Sequence, residues 1–414
     1  MKLLFWLSLF LVFYAYFGYA LVLLFIDAYR RFFSGYKQAN YSHAQQEQEL
    51  PSLSFIVTAY NEEGRIKQKL ENSLSQHYPR EKLEIVVASD CSEDNTDSIV
   101  SSYADRGVGL VRAPERKGKE HAQMHAVRAA TGEILVFSDV ATILEPNALQ
   151  QIAGNFRNPE IGCVSSEDRF IDRRGTVSGE GLYVKYEMFI RNLESRVNTL
   201  VGLSGSFFAA RREVCRDWAP DLQSDFNTLL NSVKMGFKGV SDPKSIGYYK
   251  DITDERKEFQ RKVRTVLRGI TVLMRNWRLL NPFRQGLFGW QLLSHKLLRW
   301  LVPFFLLLAF FSNLALLGSG VLYNLLFGVQ VLFYSAALVY FLQWKKDRQG
   351  QSLFKQEETG FPEKKSDLGA SLKKIYRQTT RIAFYFVSVN ASILIAWIKF
   401  IFGERTTLWE PSQR

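Results

Sequence analysis

Phe55-Ile56-Val57-Thr58-Ala59-Tyr60-Asn61-Glu62-Glu63 passes from an unbroken apolar run into a polar cluster. Phe55–Thr58, without polar alternation, reads as a strand buried on both faces. Ile66, Leu70 and Leu74 follow at i, i+4 and i+8, the spacing of a helix, and Tyr78-Pro79 stops it. The alternation then repeats. Leu83–Ala88 predicts a second strand ending in Ser89-Asp90-Cys91-Ser92, and Leu110-Val111 a short third. His121–Ala130 predicts a helix, and Ile134–Ser138 a fourth strand ending at Asp139. This order predicts an α/β fold with a mostly parallel sheet and right-handed crossovers. Ligands of such sheets bind beyond the carboxyl ends of the strands. Tyr60-Asn61-Glu62, Asp90 and Asp139 all fall there. A lone acid at a strand end is ordinarily a solvated loop residue, but three that converge mark a site.

Outside this middle region the chain is a different material. The 414 residues are 47% apolar and 14% aromatic, and 53 Lys and Arg against 41 acids give a net charge of +12. These values exclude a disordered chain, a collagen and a small disulfide scaffold. Cys91, Cys163 and Cys215 are far apart and lack zinc or C-x-x-C spacing, as expected of reduced cytosolic thiols. Residues 3–26 carry no charge, which is long enough to cross a bilayer. Asp27, Arg30, Arg31 and Lys37 follow, so the positive-inside rule puts what comes next in the cytosol. Trp300–Trp344 is uncharged over 45 positions, enough for two spans joined at Gly318-Ser319-Gly320. Residues 345–381 hold ten Lys or Arg against five acids and read as a cytosolic loop. Ile382–Ile398 is uncharged but contains Asn390, and reads either as a last span or as an interfacial helix. The basic surplus therefore belongs to membrane flanks facing anionic lipid. No nucleic-acid-binding motif accompanies it.

The polar clusters resemble, in order, the motifs of family 2 glycosyltransferases of the GT-A fold. Val57–Glu63 resembles the family's opening, and Ser89-Asp90-Cys91-Ser92-Glu93-Asp94-Asn95-Thr96 its D-D-x-S-x-D-x-T turn. Lys117-Gly118-Lys119 with Ala122 resembles K-G-K-x-x-A, and Phe137-Ser138-Asp139 sits at the D-x-D position. Gly202-Leu203-Ser204-Gly205-Ser206 with Arg211-Arg212 resembles the glycine-rich acceptor segment. Ser224-Asp225-Phe226 corresponds to T-E-D or D-D-F, and Gln260–Arg264 lies where Q-x-x-R-W is expected. Each motif alone is weak; the ordered set, over about 240 residues, is strong. The subgroup it most resembles is that of membrane-bound polysaccharide synthases of the cellulose and hyaluronan type.

The resemblance implies a nucleotide-sugar donor. Thr58, Ala59, Tyr60, Glu62, Asp90, Lys119, Asp139 and Arg261 are the donor-binding residues so implied. Glu62 and Asp90 can accept from base N–H and ribose hydroxyls. Lys119 supplies a cation, although a lysine in the run Arg116-Lys117 is otherwise a solvated one. Asp139 is the implied ligand for Mg²⁺ or Mn²⁺. The second acid of the motif is here Ala141, which cannot coordinate, yet Mg²⁺ often takes only one or two carboxylates plus phosphates and waters. Asp225 is the implied catalytic base for inverting transfer, and a helix N-cap before Asn227–Met235 is its alternative reading. Arg264 is implied to offset charge on the departing diphosphate, with Thr265 in place of the family's tryptophan. A basic amphipathic helix against lipid is the alternative there. Gly205 and Ser206 are implied on the acceptor side. His121 and His125 share a helix face at i, i+4 but lack a third ligand for zinc.

The organisation expected is a transmembrane anchor (1–28), a cytosolic GT-A domain (50–255) and amphipathic interfacial helices (256–299). Two transmembrane helices (300–344), a basic cytosolic loop (345–381), a transmembrane or interfacial helix (382–402) and a tail (403–414) follow. The expected reaction is transfer of a sugar, from a UDP-sugar, to a growing polysaccharide or lipid-linked saccharide at the cytoplasmic membrane. So few spans leave a secretion channel to a partner or a homo-oligomer, or to a lipid acceptor that needs none. The rival readings are single-sugar transfer to polyprenyl phosphate and a non-catalytic nucleotide-sugar-binding scaffold.

Overall fold

The computed structural model describes residues 1–33, 50–171, 182–250, 255–351 and 368–406. In chain order the helices are α1 (Lys2–Phe33), α2 (Ile66–Leu74), α3 (Thr96–Ser101), α4 (Lys119–Ala129), α5 (Ala148–Gly154) and α6 (Leu182–Val197). They continue with α7 (Ser224–Lys234), α8 (Glu255–Arg275), α9 (Pro282–Leu314), α10 (Val321–Gln351) and α11 (Leu368–Ile401). The strands are β1 (Leu53–Ala59), β2 (Leu83–Ser89), β3 (Val108–Arg112), β4 (Ile134–Asp139), β5 (Ile143–Leu144), β6 (Ile161–Ile171), β7 (Phe207–Arg211) and β8 (Lys238–Lys250).

All eight strands form one sheet in the order β3-β2-β1-β4-β7-β6-β8-β5. The first four are mutually parallel, as the βα alternation predicts. Beyond β4 the sheet is mixed: β7 is antiparallel to both β4 and β6, β6 runs parallel to β8, and β5 is antiparallel to β8. The mostly parallel sheet is thus confined to the half that the strand-helix pattern covers.

Every residue of β1 is buried, because helices cover both faces. The period-2 alternation divides its side chains. Leu53, Phe55, Val57 and Ala59 pack with Ile66, Leu70 and Leu74 of α2 and with Leu149 and Ile152 of α5. Ile56 packs with Ala122 and Ala126 of α4, Phe137 and Phe208 on the other side. Each large side chain so buried contributes about 1.5–3 kcal/mol.

The chain runs outward from β1 through β2 to β3, then returns to place β4 on the other side of β1. That reversal opens a crevice at the carboxyl ends of β1 and β4. The register aligns Thr58 with Asp139, and Ala59 with Ser89, so the strand ends lie level.

Four helices are long and apolar enough to cross a membrane: Lys2–Phe33, Pro282–Leu314, Val321–Lys346 and Gln378–Ile401. The second begins eighteen residues before the expected Trp300, so part of the segment expected to lie in the interface is continuous with this candidate span. It contains a non-helical Gly286 and a wide π turn at Leu293–Leu298. The last satisfies the length of a span despite Asn390. Residues 352–367 of the expected basic loop and 407–414 of the tail lie outside the described residues. Helix α1 joins both parts of the molecule: Phe5 packs on Ala309 and Leu316, and Tyr19 and Leu23 pack on Ile190, Leu193 and Val197 of α6.

Candidate active site

The strand ends are locked to one another before any functional side chain is placed. Asn61 and Cys91 adopt φ of 50° and 59°, a left-handed conformation that few non-glycine residues take. It turns the chain sharply after β1 and β2. The loop after β1 is then pinned by the loop after β2. Asn61 N donates to Ser92 Oγ (3.2 Å), Glu62 N to Thr96 Oγ1 (2.7 Å), and Glu63 N to Asp94 Oδ2 (3.0 Å). The serine, aspartate and threonine of the D-x-S-x-D-x-T turn therefore hold the Tyr60–Glu63 backbone.

Asp90 is fully buried and accepts from backbone: Lys117 N at 3.1 Å and Gly118 N at 2.9 Å. Burial raises its pKa, and those two N–H groups oppose the rise. Gly118 has φ 105°, which only glycine takes without strain, so the Lys117-Gly118-Lys119 turn needs its glycine. Through that turn Asp90 launches α4 and aims Lys119 across the crevice.

Lys119 is the centre of the arrangement. Its Nζ donates to Asp139 Oδ1 at 2.5 Å and to the Gly205 carbonyl at 2.9 Å. Asp139 N in turn donates to Ser206 O at 3.0 Å, so the glycine-rich segment is fastened to the end of β4. Its other anchor is Asp168 of β6, which accepts from Ser204 Oγ and from Ser206 Oγ (2.7 Å). An added Cβ at Gly205 would lie 3.0 Å from Asp225 Oδ2, so Asp225 stands directly against this segment.

Asp225 lies in the first turn of α7, whose N-cap is Gln223; the N-cap reading of Asp225 is therefore corrected by one full helix start. The helix begins three residues earlier than Asn227 because the Gln223 carbonyl already accepts from Asn227 N. Asp225 is buried, and burial raises its pKa, with Lys119 and Arg268 pulling the other way. Glu62 is also buried and raised, with Arg65 opposing at 2.8 Å and the field of Asp139 adding to the rise. Lys119 thus links Asp139 to the segment against Asp225, Glu62 lies within the field of Asp139, and Asp90 sits behind the turn that carries Lys119. Thr58 is bonded to Gln123 Nε2 at 3.1 Å, and Tyr60 has the Arg116 guanidinium 3.9 Å above its ring.

Two cations that the sequence reading passed over complete the site. Arg268 of α8 pairs with the buried Glu120 at 2.5 Å. Burial works against its charge, but Glu120, Asp225 and Asp139 together hold it charged. Lys69 of α2 is fully buried behind β4, donating to Ser138 Oγ (2.8 Å) and Thr142 O (2.6 Å); burial lowers its pKa to about 7. Arg264 stands one helical turn before Arg268 and is half-buried. Arg261, two turns before, is engaged by Glu258 at 2.7 and 2.8 Å. The helical spacing of 261, 264 and 268 was the available signal for Arg268.

Among the described residues no group of three or more His, Cys, Asp or Glu could hold a metal ion. Asp139 is the one carboxylate at its turn, and Ala141 offers no donor. His121 and His125 lie edge to face at 4.9 Å, with no third ligand beside them. The donor set at Asp139 suits a hard cation shared with substrate phosphates and no tighter site.

One mixed sheet between helices, with acids at three strand ends, has the GT-A-like glycosyltransferase fold. Residues 54–218 match the family described as Glycosyl transferase family 2. The chain is similar to the poly-beta-1,6-N-acetyl-D-glucosamine synthase of Staphylococcus epidermidis, 25% identical over 188 residues. The match covers 43% of this chain and 44% of that protein. The synthase of the same name from Staphylococcus aureus is 28% identical over 163 residues, covering 37% of this chain and 39% of the relative. The matched region thus spans less than half the length of these relatives. Among solved structures, a mannosyltransferase from Pyrobaculum calidifontis, in complex with GDP-Man and Mn²⁺, superimposes with a TM-score of 0.64. It is 21% identical, over 97% of this chain and 100% of that one.

Proposed function

We propose that the chain is an inverting glycosyltransferase of the cytoplasmic membrane. It moves a sugar from a UDP-sugar to a growing polysaccharide or lipid-linked saccharide, with the catalytic domain in the cytosol. The observation that carries this reading is the double hydrogen bond of Lys119, to Asp139 on the donor side and to Gly205 beside Asp225 on the acceptor side. One side chain spans the two half-sites between which a sugar must pass. The N-acetylglucosamine polymer in the names of the similar synthases supports an N-acetylhexosamine donor.

In this reading Thr58, Ala59, Tyr60, Glu62 and Asp90 hold the nucleoside at the strand ends. Asp225 takes the proton of the acceptor hydroxyl as its oxygen attacks the anomeric carbon. The bond from that carbon to the diphosphate breaks, and the nucleoside diphosphate leaves. Lys119 and Arg268 face the charge that develops on it, a role in which preorganised cations act most strongly where water is excluded. Asp139 would hold Mg²⁺ or Mn²⁺ together with the donor phosphates, and the ion would neutralise charge on the diphosphate. Burial raises the pKa of Asp225, and Lys119 and Arg268 oppose the rise.

Purified chain in detergent should melt at higher temperature with UDP than without, and UDP more than GDP. Repeating the panel with Mn²⁺ reads the metal requirement. Asp225→Asn should reduce sugar transfer by about 10²–10⁴-fold while keeping the UDP shift. Unchanged turnover in that variant would remove Asp225 as the base. Wild-type protein that binds nucleotide sugars but turns over none of them would leave the scaffold reading standing.

A further inference from the structure

Lys296 lies on the π turn of α9, inside an apolar helix long enough to cross a membrane. An added Cβ at Gly202 would sit 3.0 Å from its Nζ, which places the ammonium against the same glycine-rich segment that carries Gly205. The ammonium also lies 5.4 Å from the ring centre of Phe226, the residue after Asp225. It makes no hydrogen bond or ion pair among the described residues. Three acids, Glu187, Glu194 and Asp225, act on it through space without bonding it. Glu187 pairs with Arg299 and with His295 (3.3 Å), and Glu194 accepts from Tyr19 (2.6 Å) and meets His295 Nδ1 at 2.6 Å. A second cation, Arg191, reaches the same segment from α6, donating to the Leu203 carbonyl at 3.0 Å.

An ammonium without a hydrogen-bond acceptor among the described residues, set in an apolar helix, is a ready partner for an anion. Here the position is informative, because the cation stands between the membrane helix and the carboxylate proposed as the base. A cation that an apolar helix holds against the glycine-rich segment is positioned to meet the phosphate of a lipid, and lysine binds phosphate as a point charge. We propose that Lys296, with Arg191 behind the same segment, is the recognition site for the phosphate of a lipid-borne acceptor that approaches along α9. This inference rests on the reading of the Asp225 side as the acceptor side. It names the acceptor class: a phosphate-bearing lipid, in preference to a neutral saccharide chain.

The test is binding, measured without donor. The full chain is placed in phosphatidylcholine nanodiscs and titrated with fluorescent polyprenyl phosphate and with the unphosphorylated polyprenol. The phosphate form should bind at least about tenfold more tightly, a difference of about 1.4 kcal/mol. Lys296→Gln should abolish that preference and Lys296→Arg should keep most of it, while both variants retain the melting shift with UDP. Competition by millimolar inorganic phosphate separates recognition of phosphate alone from recognition of the lipid that bears it. Equal binding of polyprenol and polyprenyl phosphate, or an unchanged preference in Lys296→Gln, would overturn the proposal. Loss of the UDP shift in wild type would instead count against the transferase reading, since lipid binding is read independently of it.

Discussion

The two sides of the crevice are built by different means. On the proposed donor side, β1, β2 and β4 lie next to one another and each ends in its own polar motif, so three short motifs within residues 57–139 are brought together by strand pairing, and Asp90 fastens the Lys117–Lys119 turn to them. On the acceptor side nothing is contiguous. Asp225 comes from α7, Arg268 from α8, Arg191 from α6, Lys296 from α9, and the segment among them is held by Asp168 of β6. Strand-end sites are set by register; this second half depends on how helices, one of them apolar enough for the bilayer, pack on the sheet. Substitutions should therefore act locally on the donor side and broadly on the acceptor side.

The sharpest way to break that comparison is the pair of arginines on α8. Arg268 faces Asp225 and Asp139 electrostatically, and Arg264 is one turn removed. Arg268→Gln should lower kcat by about 10²–10³-fold, the usual loss when one preorganised donor to developing charge is removed. Arg264→Gln should cost severalfold less. Steady-state kinetics on the two variants decide it, and a larger loss at Arg264 would return the leaving-group role to the residue that the motif order indicates.

A smaller effect is expected at the contact between the halves. Gly205→Ala would put a methyl group 3.0 Å from Asp225 Oδ2, and that oxygen has to give way. The shift needed is a few tenths of an ångström, so the loss should be several-fold, below the about 10²-fold that a 1 Å misplacement costs. The loss should appear in kcat, while KM for the donor stays within about twofold. Equal losses in both parameters would show that the segment supports donor binding as well.

The pH dependence follows from burial. The Asp225 carboxyl is raised above the ordinary carboxylate range, and a base must be ionised to work. Activity should therefore fall with decreasing pH through a value above that range. Arg268→Lys, which keeps the charge, should move the acid limb less than Arg268→Gln, which removes an opposing cation and should shift it upward. A limb at the ordinary carboxylate value in wild type would mean that Asp225 is better solvated than its packing implies.

The contrast also explains what was legible in the sequence. β1, β2 and β4 announce themselves as short apolar runs, and their terminal acids are adjacent in the chain to the pattern that places them. The turn Ser92–Thr96 was legible as a motif, but not as the clamp on Glu62 and Glu63, since that pairing crosses more than thirty residues. Arg268 was hidden because a basic helix beside a membrane reads the same with or without a partner inside. Lys296 is the sole Lys, Arg, Asp or Glu between Arg284 and Arg299, a lone charge in an apolar run that could have been singled out. The mixed half of the sheet, and the start of the membrane helix at Pro282, depend on long-range packing that no local period encodes.

Lys69 gives the smallest prediction, and it belongs to the donor side. Lysines are ordinarily exposed, yet Lys69, at i+3 from Ile66, is on the buried face of α2 and fully buried, with the Phe55 ring centre 5.2 Å from its Nζ and Asp139 within reach of its field. Burial lowers its pKa from 10.5 to about 7. Between those two values the unfolded chain binds a proton at Lys69 that the folded chain does not. By linkage, stability then rises with pH across that window, and the contribution is flat below pH 7. Lys69→Met removes the titration and leaves Ser138 Oγ and Thr142 O without this donor, so it should also lower the melting temperature by a few degrees. The readout is the difference in melting temperature between wild type and variant from pH 7 to 9.5, in which the other titrations cancel. The difference should widen in favour of wild type as pH rises. A difference independent of pH would mean that Lys69 stays charged in the fold, with Asp139 as its counter-ion and a direct part in the charge balance of the donor site.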